Sequence, residues 1–263
     1  MPKPYHLFQY NPSEGDNFTI IAHRGASAYY PENTLAAFEG AIAMGADMVE
    51  LDVQLTADGE VVAFHDEKIE HCTDGRGRVA EYTLTTLKKL DAGSWFDKKF
   101  QGTKIPTLAE VLNVCKNKVA VNIEIKTEAV RDAISGGIEE KSLKIVEQNK
   151  MLEHTVFSSF DPRALKHLKE IDATVSTAVL FEKKYYGSML PSAIIELVGA
   201  DVFNCARDEL GRKWLADLKA NNIPVNVYTV NDERSMRRFL EMKVNGIFTN
   251  KPDLLKIILA NYL

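Results

Sequence analysis

Apolar runs alternate with amphipathic stretches along almost the whole chain. Strand-like runs fall at Thr19–His23, Met48–Leu55, Val119–Lys126, Thr155–Phe160, Val175–Phe181, Asp201–Cys205, Pro224–Val230 and Gly246–Asn250. Segments with helical spacing lie between them. In the first, Leu35, Phe38 and Ile42 repeat at i, i+3 and i+7, with Asn33 as the expected N-cap and Gly45 as the stop. Later helices are expected at Thr107–Lys116, Ile138–Asn149, Pro162–Ile171, Glu209–Asn221, Asp232–Met242 and Pro252–Tyr262. Eight strands alternating with helices predict an α/β fold, a (β/α)8 TIM barrel. A doubly wound open sheet is the competitor, weakened because no GxGxxG turn follows the first strand.

One stretch breaks the alternation. Asp58-Gly59 signals a turn, and the run Val61–His65 after it can pair back on Met48–Leu55. Turns and a short helical piece around Leu84, Leu87 and Leu90 follow, up to Pro106. The chain is thus expected to be a single domain, 1–263, with a small subdomain at about 56–106 inserted after the second strand and capping the barrel mouth. Trp95 and Phe96 are expected in its mini-core, with a ligand platform as the alternative.

Strand parity carries the chemistry. In Val49-Glu50-Leu51-Asp52-Val53 the apolar residues share one face and the carboxylates the other. The third strand repeats this, with Val121, Ile123 and Ile125 opposite Asn122, Glu124 and Lys126. Packing the apolar faces against helices turns Glu50, Asp52 and Glu124 inward near one rim. Three converging carboxylates resist desolvation unless a cation joins them, and all-oxygen ligation favours Mg²⁺, Ca²⁺ or Mn²⁺ over zinc. A glycosidase pair fits poorly, because an i, i+2 pair on one strand cannot flank a sugar from both sides.

His23 ends the first strand and His65 ends Val61–Phe64, which places both at the same mouth. Two imidazoles titrating near neutrality form an acid/base pair. Arg24 supplies a planar fork for phosphate oxygens. Glu32 either orients Arg24, shapes the site, or starts a helix with favourable charge. His6, His71, His154 and His167 lack such surroundings and are expected at the surface.

Composition narrows the field. With 45% hydrophobic residues, 26% charged residues and a net charge of −5, the chain reads as an ordinary globular protein without a basic stripe. Nucleic acid and stable membrane association are therefore not expected as partners. The three cysteines, Cys72, Cys115 and Cys205, form no CxxC pair and suit a reducing compartment as structural residues. Met1 to Asn17 shows no apolar signal core, and Leu254–Leu263 is too short to span a bilayer, so a cytoplasmic location is the expectation. Homo-oligomerisation is left open.

Taken in order, His23-Arg24-Gly25, Pro31-Glu32-Asn33-Thr34, Gly45-Ala46-Asp47, Glu50-Leu51-Asp52-Val53, Asp58-Gly59 and His65-Asp66 resemble the glycerophosphodiester phosphodiesterase family. The likeness continues through Leu90-Asp91-Ala92-Gly93-Ser94-Trp95, Ile105-Pro106-Thr107-Leu108, Asn122-Ile123-Glu124-Ile125-Lys126, Thr229-Val230-Asn231 and Gly246-Ile247-Phe248-Thr249-Asn250. The resemblance implies a TIM barrel with a small insertion and a metal-dependent phosphodiesterase. Its products would be sn-glycerol 3-phosphate and an alcohol. His23 and His65 would be the acid/base pair, Glu50, Asp52 and Glu124 the ligands of Mg²⁺ or Ca²⁺, and Arg24 and Lys126 the phosphate grip. Tyr228 stands where the family usually has a substrate-lining tryptophan, which sets the alcohol pocket apart. A lysophospholipase D acting on lysophospholipids is the alternative, although no basic amphipathic segment accompanies the site.

Overall fold

The computed structural model describes residues 18–262. The reading of Met1 to Asn17 and the placement of His6 lie outside the described residues. The strands are β1 (Thr19–Ala22), β2 (Met48–Leu55), β3 (Val61–Ala63), β4 (Ala120–Ile125), β5 (Thr155–Ser159), β6 (Thr177–Leu180), β7 (Val202–Ala206), β8 (Val225–Tyr228) and β9 (Gly246–Thr249). All except β3 run parallel, in the order β1-β9-β8-β7-β6-β5-β4-β2, and β1 pairs with β2 to close the ring. The predicted (β/α)8 barrel is the fold. β3 is antiparallel to β2, with Val53 opposite Ala63 and Leu55 opposite Val61.

Ten α-helices surround or cap the ring: α1 (Leu35–Ala43), α2 (Leu84–Leu87), α3 (Leu108–Cys115), α4 (Ile138–Gln148), α5 (Pro162–Ile171), α6 (Lys183–Tyr186), α7 (Pro191–Val198), α8 (Arg212–Ala220), α9 (Glu233–Glu241) and α10 (Pro252–Ala260), counted among the described residues. The hydrophobic pattern alone does not mark the helices α6 and α7. Pro191 at the start of α7 and the left-handed Gly199 after it are ordinary helix boundaries.

Strand alternation sorts the core as the parity predicts. Val49, Leu51, Val53, Val121, Ile123 and Ile125 face outward and pack with Phe38, Leu112 and Leu168 of the helices. Met48, Ala120, Val156, Ala178, Val202 and Phe248 fill the barrel interior. Residues between β3 and α3 bury their own small cluster, including Phe64, Ile69, Val79, Leu87 and Ile105. Trp95 is not part of it. It is 37% exposed, and its ring meets His71 at a tilt and Phe96 edge-on. Phe64 and aliphatic residues fill that small volume, and the indole is left on its surface.

Two further expectations are corrected. Thr34, not Asn33, caps α1, its hydroxyl accepting from the Ala37 N–H at 3.3 Å. His167 is buried rather than superficial, with Nδ1 3.0 Å from Oε1 of the fully buried Glu139 across the α4–α5 contact. All three cysteines are buried and unpaired.

Candidate active site

The parallel register of β2 and β4 sets Glu50 opposite Asn122 and Asp52 opposite Glu124. Neighbouring strands lie about 4.8 Å apart, so the acids meet across the sheet. One oxygen from each of Glu50, Asp52 and Glu124 lies within 4.8 Å of the others. Burial, then Asp52 and Glu124, push the Glu50 carboxyl well above the usual carboxylate range. Burial and Asp52 raise Glu124 as well, against the pull of Lys126. Burial also opposes charge on Asp52, but Lys126 and Arg24 hold it at about 2. Such a nest of strained, oxygen-only donors suits a hard divalent cation, which would relieve the repulsion directly.

Two cations flank the acids. Lys126 Nζ lies 3.0 Å from Glu124 Oε1 and 3.5 Å from Asp52 Oδ1. Arg24 Nη1 donates to Glu32 Oε1 at 2.9 Å, and Nε lies 3.4 Å from Asp52 Oδ2. Glu32 is thus the partner that holds the Arg24 side chain, beside Asp52. Burial disfavours both cations, yet the acids around them raise the pKa of each.

The turn after β1 explains the His-Arg-Gly run. Arg24 is left-handed (φ 55°), which turns its backbone N–H onto Glu50 Oε2 at 2.8 Å. Gly25 follows at φ 80°, and a Cβ there would lie 2.6 Å from the Ala37 carbonyl carbon. Only glycine lets the turn pass this close to α1.

The imidazoles have unlike partners. His23 Nδ1 lies 2.8 Å from Asn250 Oδ1. Facing an acceptor, Nδ1 carries the proton, and Nε2 remains bare. Burial and the adjacent Arg24 charge lower this imidazole to about 4. His65 Nδ1 is 2.6 Å from Asp66 Oδ1. Burial works against the Asp66 anion, but the bond from His65 holds its carboxyl below the usual range. Both histidines line one cavity of about 190 Å³ with Arg24, Glu50 and Glu124. Its apolar wall is Phe160, Leu180, Tyr228 and Phe248. Tyr228 meets Phe160 and Phe248 edge-on, and its hydroxyl donates at 3.4 Å to the Phe181 carbonyl. The Tyr228-Thr229 peptide is cis.

All eight residues singled out in the sequence thus stand at one rim: His23, His65, Glu50, Asp52, Glu124, Arg24, Lys126 and Tyr228. The sequence marks Asn33 as a cap and a motif residue, and Asn250 as part of a terminal motif. Asn33 Nδ2 instead donates to Asp52 Oδ2 at 2.8 Å, and the Asp52 N–H returns a bond to Asn33 Oδ1 at 3.2 Å. Polar asparagines beside a charged strand end were the available signal.

A closed parallel barrel with acids, cations and imidazoles gathered at its C-terminal mouth has the layout of a TIM-barrel enzyme. A glycerophosphoryl diester phosphodiesterase family model matches residues 23–254, and the chain belongs to that family. It is 35% identical to the glycerophosphodiester phosphodiesterase of Bacillus subtilis, over 94% of this chain and 88% of that one. It is 37% identical to the enzyme of that name from Caldanaerobacter subterraneus, over 90% and 95% of the two chains. Among solved structures, an Oleispira antarctica phosphodiesterase in complex with the product sn-glycerol-3-phosphate superposes with a TM-score of 0.86. It is 26% identical, with 98% of this chain and 100% of that chain covered. Among the described residues, no helix is long and apolar enough to cross a membrane.

Proposed function

We propose that the protein hydrolyses glycerophosphodiesters, such as glycerophosphocholine or glycerophosphoethanolamine, to sn-glycerol 3-phosphate and the free alcohol. The observation that carries this is the meeting of two imidazoles, Arg24, Glu50 and Glu124 around one small cavity, with Asp52 and Lys126 in contact with those acids. The product bound in the Oleispira structure supports the same substrate class.

Glu50, Asp52 and Glu124 would hold Mg²⁺ or Ca²⁺, which when bound supplies charge neutralisation at the phosphoryl group and acidifies a glycerol hydroxyl. Arg24 and Lys126 stabilise charge on the phosphoryl oxygens. His23, neutral and with Nε2 bare, takes the proton of the glycerol 2-hydroxyl as its oxygen attacks phosphorus. The bond from phosphorus to the headgroup oxygen breaks, and His65 protonates the departing alkoxide. The Asp66 carboxylate, 2.6 Å from Nδ1, orients the His65 ring for that transfer. In the second half His65 takes a proton from water as that water attacks phosphorus. The ring bond to the 2-oxygen opens, and His23 returns its proton there.

The apolar wall with Tyr228 at its edge faces the headgroup in this reading. The decisive experiment is a panel of glycerophosphodiesters assayed for glycerol 3-phosphate with each cation, together with lysophosphatidylcholine. Release from the glycerol esters is expected; release from the lysolipid alone would move the activity to a lysophospholipase D. A substrate lacking the 2-hydroxyl should be inert, and its rapid cleavage would replace the cyclic route with direct attack by water.

A further inference from the structure

We infer that Gln54 is a positioning residue for His65, a reading that rests on the catalytic role proposed for that histidine. Gln54 follows Glu50 and Asp52 at two-residue spacing on β2 and so shares their face. It is buried, at 4% exposure, although a glutamine amide is costly to bury without partners. Its Nε2 finds three. It donates to the carbonyls of Phe64 at 3.0 Å, His65 at 3.2 Å and Asp66 at 2.8 Å.

The position of that amide matters because the sheet ends just before it. β3 stops at Ala63, and the Phe64 N–H bond to the Asp52 carbonyl is the last backbone bond between β2 and this segment. His65 and Asp66 lie beyond the ladder, on the segment leading into the insertion. Gln54 continues the work of the ladder with a side chain. It ties the backbone of the His65–Asp66 pair to the strand that carries Glu50 and Asp52. The distance between the imidazole and the carboxylate nest therefore depends on one buried amide. An error of about 1 Å in such a distance can cost roughly 10²-fold in rate. Two amide hydrogens serve three carbonyls, so the bonds share donors and the carbonyls are drawn together around the nitrogen.

Gln54→Met keeps the length and volume of the side chain and removes the donor. With the full chain and glycerophosphocholine, kcat should fall about tenfold or more. The affinity for Mg²⁺, measured by calorimetry, should stay within about twofold, because the carboxylates are on β2 itself. In protein labelled with 15N-histidine and free of metal, the His65 ring resonances should shift or broaden while those of His23 stay in place. The same substitution made in His65→Ala should cost less than about twofold, because the group it positions is gone. Equal losses in both backgrounds, or unchanged His65 resonances, would overturn the assignment. Gln54→Asn, which keeps the amide but draws it back by one carbon, should give the same pattern and serves if Gln54→Met does not fold. If His65→Ala retains full turnover, the catalytic reading has failed; the ring resonances then decide by themselves whether Gln54 holds His65.

Discussion

Asn33 and Asp52 are bonded to each other twice, side chain to side chain at 2.8 Å and backbone N–H to side chain at 3.2 Å. Asn33 stands in the left-handed region, at φ 55°, which asparagine tolerates better than most residues. The pair orients a buried carboxylate without adding charge to it. Asn33→Asp removes the amide donor and sets a second carboxylate against Asp52. It should destabilise the metal-free protein by about 2 kcal/mol or more, read from urea unfolding. Asn33→Gly, which suits the backbone, should cost less.

The histidines should separate by leaving group. His23→Ala and His65→Ala should each lower turnover of glycerophosphocholine by about 10²-fold or more. A p-nitrophenyl glycerophosphodiester releases an alcohol that departs without a proton. His65→Ala should therefore regain most of its deficit on that substrate, while His23→Ala should not. Equal deficits for the two variants on both substrates would remove the division of labour.

Chelation tests the acidic nest. EDTA should abolish activity, and Mg²⁺ or Ca²⁺ should restore it. Full turnover in chelator would exclude a metal role. Glu50→Gln, Asp52→Asn and Glu124→Gln should each weaken cation binding in calorimetry, by about 10-fold or more. Because Glu50 and Glu124 repel in the metal-free protein, their substitutions should raise its melting temperature or leave it unchanged.

His23 predicts an acid weakness. Its folded pKa lies at about 4, below the ordinary value of 6.5. The unfolded chain therefore takes up a proton near pH 6.5 that the folded site refuses until about pH 4. Stability is complete above the upper value and is lost as pH falls through that window. The loss from this residue is on the order of 3 kcal/mol at the acid end. Urea unfolding without metal, at neutral pH and near pH 4.5, should show a smaller drop for His23→Gln than for the unaltered protein.

Much of this site was legible because its signals are local. A strand has a period of two, so Glu50, Asp52, Glu124 and Lys126 declare their shared direction within a few residues. Neither cap nor burial can be read that way at every position. Asn33 and Thr34 are both good N-caps by residue type. What separates them is Asp52, which claims Asn33 from 19 residues away. His167 carries no local mark of burial, and its Glu139 partner comes from the preceding helix.

The chain by itself determined the barrel, its face-by-face sorting of apolar and charged residues, and the identity of the acids, cations and imidazoles at the rim. Hydrophobic periodicity and turn chemistry act over a few residues, and the sequence displays them openly. Only the closed barrel decided the distant partners: Asn250 against His23 across 227 residues, and Asn33 on Asp52 across 19. Such pairings arise where the ring brings distant strand ends within hydrogen-bond reach. They set which ring nitrogen of His23 holds the proton and how the charges are held, because a proton's position depends on the atom opposite it.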